Sequence, residues 1–211
     1  MADQLNNKLQ QFLLKEDYDG AIDMLKQAYA SNIENYPVNL QILINLGAIY
    51  SRKGLFNDAK EVYLQAHNLN SNNAQINFLL GNIYYKLLDT SNAKTYLEKA
   101  LKYKPDKKIM REIHLHLAII YIEEKKWKTA ESLSFSIIKD YPDDIAALGL
   151  LGLIYKQTAR YEESEDYFDK VLQIQPNHQI TLLRLCDLKL KQGKLDEGAE
   201  LEIQAKGYYK F

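Results

Sequence analysis

The chain is 211 residues long, enough for a sizeable core, and its 27 basic and 28 acidic side chains nearly cancel. That balance excludes the Lys/Arg excess by which a nucleic-acid binder neutralises phosphates, and with only four arginines (Arg52, Arg111, Arg160, Arg184) bidentate clamping of anions is no dominant theme. The single cysteine, Cys186, rules out an internal disulfide and fits a reducing compartment.

The chain opens on "MADQLNNKLQQFLLKED", with no basic run leading into an apolar core. No secretory leader is read there, and a cytoplasmic setting is expected. Within it "DQLNNKLQQ" predicts a helix polar around most of its circumference, the cap of a stack. "DYDGAIDML" follows, with Tyr18, Ala21 and Leu25 on the core side of a second helix, giving a first repeat over 2–39. About four extra residues between Ala21 and Pro37 predict one more turn in that second helix.

From here a unit recurs: 40–73, 74–110, 111–144, 145–178 and 179–211. Leu46-Gly47 with Tyr50, Leu80-Gly81 with Tyr84, and Leu151-Gly152 with Tyr155 repeat in phase, and Leu117, Ala118 and Tyr121 stand in the same places of the fourth unit. Leu, Gly and Tyr at i, i+1 and i+4 share one face of a helix, where the small residue admits a partner helix. Gly54, or "LLDT", "EKKW" and "TARY" in its place, breaks that helix. The second helix begins near Asn57-Asp58, with acids in the first turn (Asp58; Glu162 and Glu163) that suit the helix dipole. Pro105, Pro142 and Pro176 close their units. Three extra residues in "PDKKIM" predict a longer connection from the third unit to the fourth. "IAALGLLGLIY" (145–155) is the longest apolar run, and it falls short of the roughly 20 residues that span a bilayer. The last unit keeps Leu185, Cys186, Gly193 and Leu195, while Lys189 and Glu202 replace the aromatic residues, so its outward side is expected to face water.

This pattern resembles the tetratricopeptide repeat, whose signature is Trp-x2-Leu-Gly-x2-Tyr, then Ala-x3-Phe, then Pro. Ala59 with Tyr63, Ala93 with Leu97 and Ser164 with Phe168 supply the later part, and Leu43, Asn77, His114 and Leu148 stand at the Trp place. The resemblance implies an all-α fold: a right-handed α-solenoid of about six helix-turn-helix repeats over 1–211, with no second domain.

Few residues invite chemistry. His114 and His116 lie two apart, so on a helix they point in nearly opposite directions and cannot share a metal ion. Cys186 takes the place of Gly or Ala and reads as a buried small residue. "EESED" (162–166) reads as a solvated outer face, and "GLLG" (149–152) lies mid-helix, where its amides are already bonded. No catalytic set, cofactor site or metal site is expected. One charge concentration stands out: Lys99, Lys102, Lys104, Lys107, Lys108 and Arg111, either a solubilising surface or a docking patch for an acidic partner or anionic lipid.

In the family the first helix of each pair lines the concave side, where peptides or partner helices lie. The matching stripe is Ile44, Ala48 and Arg52 in the second repeat and Phe78, Asn82, Tyr85 and Lys86 in the third. It continues through Leu115, Ile119 and Ile122 in the fourth and Leu153 and Lys156 in the fifth. Two readings stand: an apolar groove for an amphipathic helix or apolar segment, or side chains buried by curvature against neighbouring repeats. The clamp by which some family members hold the acidic C-terminus of heat-shock proteins is not matched, since its places in the second to fourth repeats hold Ile44, Ala48, Leu79, Glu112 and His116. The expected function is a non-enzymatic, monomeric adaptor that binds a protein segment and supports assembly of a larger complex. Pilus or secretin assembly factors and secretion chaperones of this repeat type are narrower versions of it. A self-assembling structural protein, latched through the C-terminal "GYYKF", is the alternative from another class.

Overall fold

A computed structural model describes residues 2–31 and 36–207, and among these twelve helices and no strand occur. They pair in chain order: α1 (Ala2–Leu14) with α2 (Tyr18–Ser31), α3 (Tyr36–Arg52) with α4 (Phe56–Leu69), α5 (Ala74–Lys86) with α6 (Thr90–Lys102). The series continues with α7 (Lys107–Glu123), α8 (Trp127–Asp140), α9 (Ile145–Gln157), α10 (Tyr161–Ile174), α11 (Gln179–Lys191) and α12 (Leu195–Lys206). This is an all-α fold of six helix-turn-helix repeats. The chain divides into two compact units, Met1–Ile113 and His114–Phe211, with the division inside α7. Of the terminal "GYYKF", residues 208–211 lie outside the described residues.

Each turn inside a pair is made by one residue with positive φ: Glu16, Gly54, Leu88, Lys125, Ala159 and Gly193. Four of the six carry a Cβ, which crowds the carbonyl in the left-handed region. The turn is dictated by the pair, not by glycine. Leu88 is the clearest case, at φ 61° with 88% of its surface exposed and no packing to offset the strain. Leu88→Gly is expected to stabilise unit 1 by about 0.5–1 kcal/mol after glycine's own entropic cost, raising the thermal midpoint by about 1–3 °C. Calorimetry of the two proteins checks this.

Caps fix several helix starts. Asn73 Oδ1 accepts from Ile76 N (3.0 Å), Asp89 from Asn92 N (3.0 Å), Asp106 from Ile109 N (2.8 Å) and Asp144 from Ala147 N (2.8 Å). Such caps satisfy amides that the helix cannot.

Within a repeat the small residue of the first helix receives the large residue of the second, sixteen positions on. A Cβ at Gly81 would sit 2.6 Å from Leu97, one at Gly152 would sit 2.5 Å from Phe168, and one at Gly47 would press closer still on Tyr63. Tyr63, Leu97 and Phe168 are themselves fully buried. At the same spacing the fourth repeat holds Ala118 and Ser134, also fully buried, so a larger first residue meets a smaller second one. Ser164, at the alanine place, ties its pair together by donating to Gly152 O (2.8 Å).

Two expectations are corrected. A third, one more turn in α2, falls on residues 32–35 and lies outside the described residues; α3 from Tyr36 is a long helix, 17 residues against 13 in α5, with Pro37 in its first turn. Proline's fixed φ and missing N–H suit that turn. "PDKKIM" does not make a longer connection: four residues link α6 to α7, as four link α4 to α5, and the surplus becomes the first turn of a 17-residue α7. Extra residues with helical propensity next to a helix start are cheaper to wind on than to leave as loop. Finally, Lys189 does not face water. Its side chain is only 9% exposed, bonded to Glu165 and, at 2.8 Å, to Glu197. Ile180, Leu183, Leu190, Leu195 and Ile203 are exposed large apolar residues of the last repeat.

Candidate functional site

The expected stripe does not behave as one surface. Ile44 (8% exposed) and Leu115 (9%) belong to hydrophobic cores and are not open groove lining. The place they occupy faces the following repeat, as the last repeat shows, where the equivalent Leu183 is 44% exposed. Ile119 and Ile122 are half-buried against the core that contains Leu115. In unit 1 Ala48 and Arg52 are exposed, Phe78, Asn82 and Tyr85 are half-buried, and the Lys86 ammonium lies 5.3 Å from the centre of the Phe56 ring. In unit 2 Leu153 is half-buried, and Lys156, its side chain almost wholly covered, donates to Asp187 at 2.7 Å. That bond holds the Asp187 carboxyl below its ordinary pKa.

Unit 1 contains a trough that the stripe touches only at its edge. It runs between α1 and α3 as two adjoining hollows of about 180 and 170 Å³ that share Asn45. Leu5, Val38 and Ile42 line the first; Leu9, Leu13, Ile49, Ala48 and Arg52 line the second. Each is smaller than a drug-sized pocket and suits a single large side chain. Ile42 and Ile49 in the two floors are seven residues apart, roughly 10 Å along a helix. Amides form the rim: Asn6, Gln10, Gln41 and Asn45. Gln41 Nε2 donates to Asn45 Oδ1 (3.0 Å), which leaves Gln41 Oε1 and Asn45 Nδ2 for a ligand. The apolar spacing Leu5, Leu9, Leu13 on α1 was the signal for this trough; it hid inside a helix that is otherwise polar and read as a cap.

The basic cluster is partly spent on its own unit. Lys99 donates to Nε2 of His67 (3.0 Å), and burial, then the Lys99 charge, lower the His67 pKa, so the imidazole is neutral. Arg111 pairs with Glu112. Lys102, Lys104, Lys107 and Lys108 remain exposed around the α6–α7 turn. Burial lowers the pKa of His114, which fills the Trp place of its repeat as a packing residue. Among the described residues no group of three or more His, Cys, Asp or Glu could hold a metal ion, and no helix is long and apolar enough to cross a membrane.

Two family models, both described as tetratricopeptide repeat, match the chain, one at 40–73 and 145–178 and the other at 88–154. Among curated proteins, Protein O-mannosyl-transferase TMTC1 of Homo sapiens is 28% identical over 134 residues, which is 64% of this chain and 15% of that protein. Cilia- and flagella-associated protein 70 of Homo sapiens is 30% identical over 111 residues, 53% of this chain and 10% of that protein. The chain thus spans a small fraction of the length of these relatives. Among solved structures, PilW, a type IV pilus biogenesis factor, superposes with a TM-score of 0.81 at 18% identity, covering 99% of this chain and 94% of that one.

Proposed function

The chain belongs to the tetratricopeptide repeat family, and from that premise we propose that it is a non-enzymatic scaffold that holds an extended segment of a partner protein in the α1–α3 trough. The observation that carries this is the pair of side-chain-sized hollows under an amide rim. Two floors roughly 10 Å apart match apolar side chains at i and i+3 of an extended peptide in the polyproline II conformation, which rises about 3.1 Å per residue and returns to the same face every third residue. A helix with apolar residues at i and i+7 would match the spacing as well. The rim favours the extended form, because Asn and Gln side chains can pair with exposed backbone N–H and C=O groups, which a helix has already satisfied. A scaffold of this kind would support assembly of a larger complex, a role of the sort that PilW's name gives to PilW.

Selection from a displayed library of random peptides tests the proposal. Peptides with two large apolar residues three apart are expected to be enriched, and the enrichment is expected to vanish with Ala48→Glu, an exposed position where a charge leaves the core intact. Enrichment that survives Ala48→Glu, or none at all, overturns the trough as the binding site.

A further inference from the structure

Glycines inside the first helices of the repeats fall into two kinds. Gly47, Gly81 and Gly152 are demanded by packing, since a Cβ there would collide with a buried side chain. Gly149 is different. The nearest atom to a Cβ placed there is Nη1 of Arg184, at an ordinary 3.7 Å. Glycine in a helix interior weakens that helix relative to alanine, and other repeats hold Ile44, Phe78 and Leu115 at the equivalent place. What the missing side chain provides is a gap in α9, and Arg184 of α11 lies across it.

The guanidinium is poorly served there. Among the described residues its one hydrogen bond is a long contact from Nη1 to Gly149 O, 3.4 Å, and no carboxylate lies within ion-pair distance. Burial lowers its pKa. A half-buried guanidinium has five donors in a planar fork that matches a carboxylate bidentately, and most of them are unused. The nearest acid on the same helix, Asp187, is already shared by Lys156 (2.7 Å) and Lys191 (3.6 Å), so the neighbourhood carries a positive surplus. Apolar surface flanks it: Leu153 lies one turn beyond Gly149 on α9, and Ile180 and Leu183 are exposed on α11.

We infer that Arg184, laid in the Gly149 gap, anchors a second binding site in unit 2 that takes the carboxylate of an acidic residue within an apolar partner segment. The site is separate from the α1–α3 trough, and the two stand or fall independently. Glycine at 149 lets the arginine lie from α11 against α9 beside the half-buried Leu153, and the surrounding leucines and isoleucine receive the residues on either side of the acid.

Side-chain NMR of the full chain tests it, because four arginines give a readily resolved set of Nε–Hε resonances. The probes are the end-blocked peptide Ala-Leu-Glu-Leu-Ala, its Gln counterpart and sodium acetate. The Glu peptide is expected to shift the Arg184 resonance and to bind at least about tenfold tighter than the Gln peptide, the scale of a hydrogen bond to a charged group. Arg184→Gln is expected to remove that preference, and so is Gly149→Leu, while Ala48→Glu in the trough leaves it unchanged. Equal binding of the two peptides, no binding of either, or a preference that survives Arg184→Gln overturns the site. Acetate shifting the resonance as strongly as the Glu peptide at equal concentration overturns the role of the flanking segment.

Discussion

Alanine at Gly152 is expected to destabilise the chain by about 1–3 kcal/mol, whereas alanine at Gly149, one turn earlier in the same helix, is expected to stabilise it by up to about 1 kcal/mol. Helix propensity favours alanine at both positions, so any difference in sign comes from tertiary contact. At Gly152 the new methyl would meet the Phe168 ring at 2.5 Å, and Phe168 is fully enclosed with nowhere to move. At Gly149 it would meet only the tip of a flexible arginine at 3.7 Å. The fourth repeat points to the compensation, since Ala118 there is paired with Ser134. Phe168→Ser alone is expected to cost about 3–5 kcal/mol through the lost ring and the cavity. In the double variant Gly152→Ala/Phe168→Ser the alanine penalty disappears, so the two changes add to less than their separate costs. Hydrogen exchange of the α9 and α10 amides is the suitable readout, because repeat proteins need not unfold as one unit. Strict additivity would show that the glycine and the ring are not a fitted pair.

Lys189→Ala is expected to cost about 2 kcal/mol, confined to the last two repeats. The ammonium sits at the place where four other repeats have tyrosine, covered on most sides, and bridges Glu165 of α10 to Glu197 of α12. Burial opposes its charge, but the hydrogen bonds to Glu165 and Glu197 outweigh burial and raise its pKa above the ordinary lysine value. A raised base contributes its full stabilisation below the unfolded-state pKa and loses it as pH climbs through the folded-state value. The bridge is therefore intact at neutral pH; it fails in strong alkali as the lysine deprotonates, and in acid as the Glu197 carboxyl, held below its ordinary pKa by the hydrogen bond from Lys189, takes up a proton. Removing the ammonium leaves two carboxylates facing each other across the gap. Lys189→Tyr should behave differently, because it restores the apolar residue of the repeat and buried ion pairs often yield to packed apolar groups without loss. Urea unfolding of the three proteins at neutral pH checks this; equal stability of Lys189→Ala and the parent would show that the bridge holds nothing together.

Much of the fold was legible because it is periodic. The Leu-Gly-x2-Tyr phase marked the first helices of the second, third and fifth repeats, with Leu117, Ala118 and Tyr121 in the fourth, and Ala59 with Tyr63, Ala93 with Leu97 and Ser164 with Phe168 marked the second helices that fill the glycine notches. Surplus residues were harder to place. At "PDKKIM" the sequence showed that residues were added but not on which side of a helix boundary they would wind, since the lysines that follow Pro105 and Asp106 suit either loop or helix. The candidate site was less legible still. Ile44 and Ala48 belong to one predicted stripe, four residues apart, yet one is core and the other open.

The sequence by itself determined the helices, their pairing and the residues that make the small-to-large fit inside the second, third and fifth pairs, all of which lie close in the chain and repeat in register. Only the tertiary structure decided which faces stay uncovered: the trough between α1 and α3, the gap at Gly149 that Arg184 fills, and the burial of Lys189. Exposure is a property of what packs alongside, and the same residue at the same repeat position is core when a following helix covers it and surface when none does.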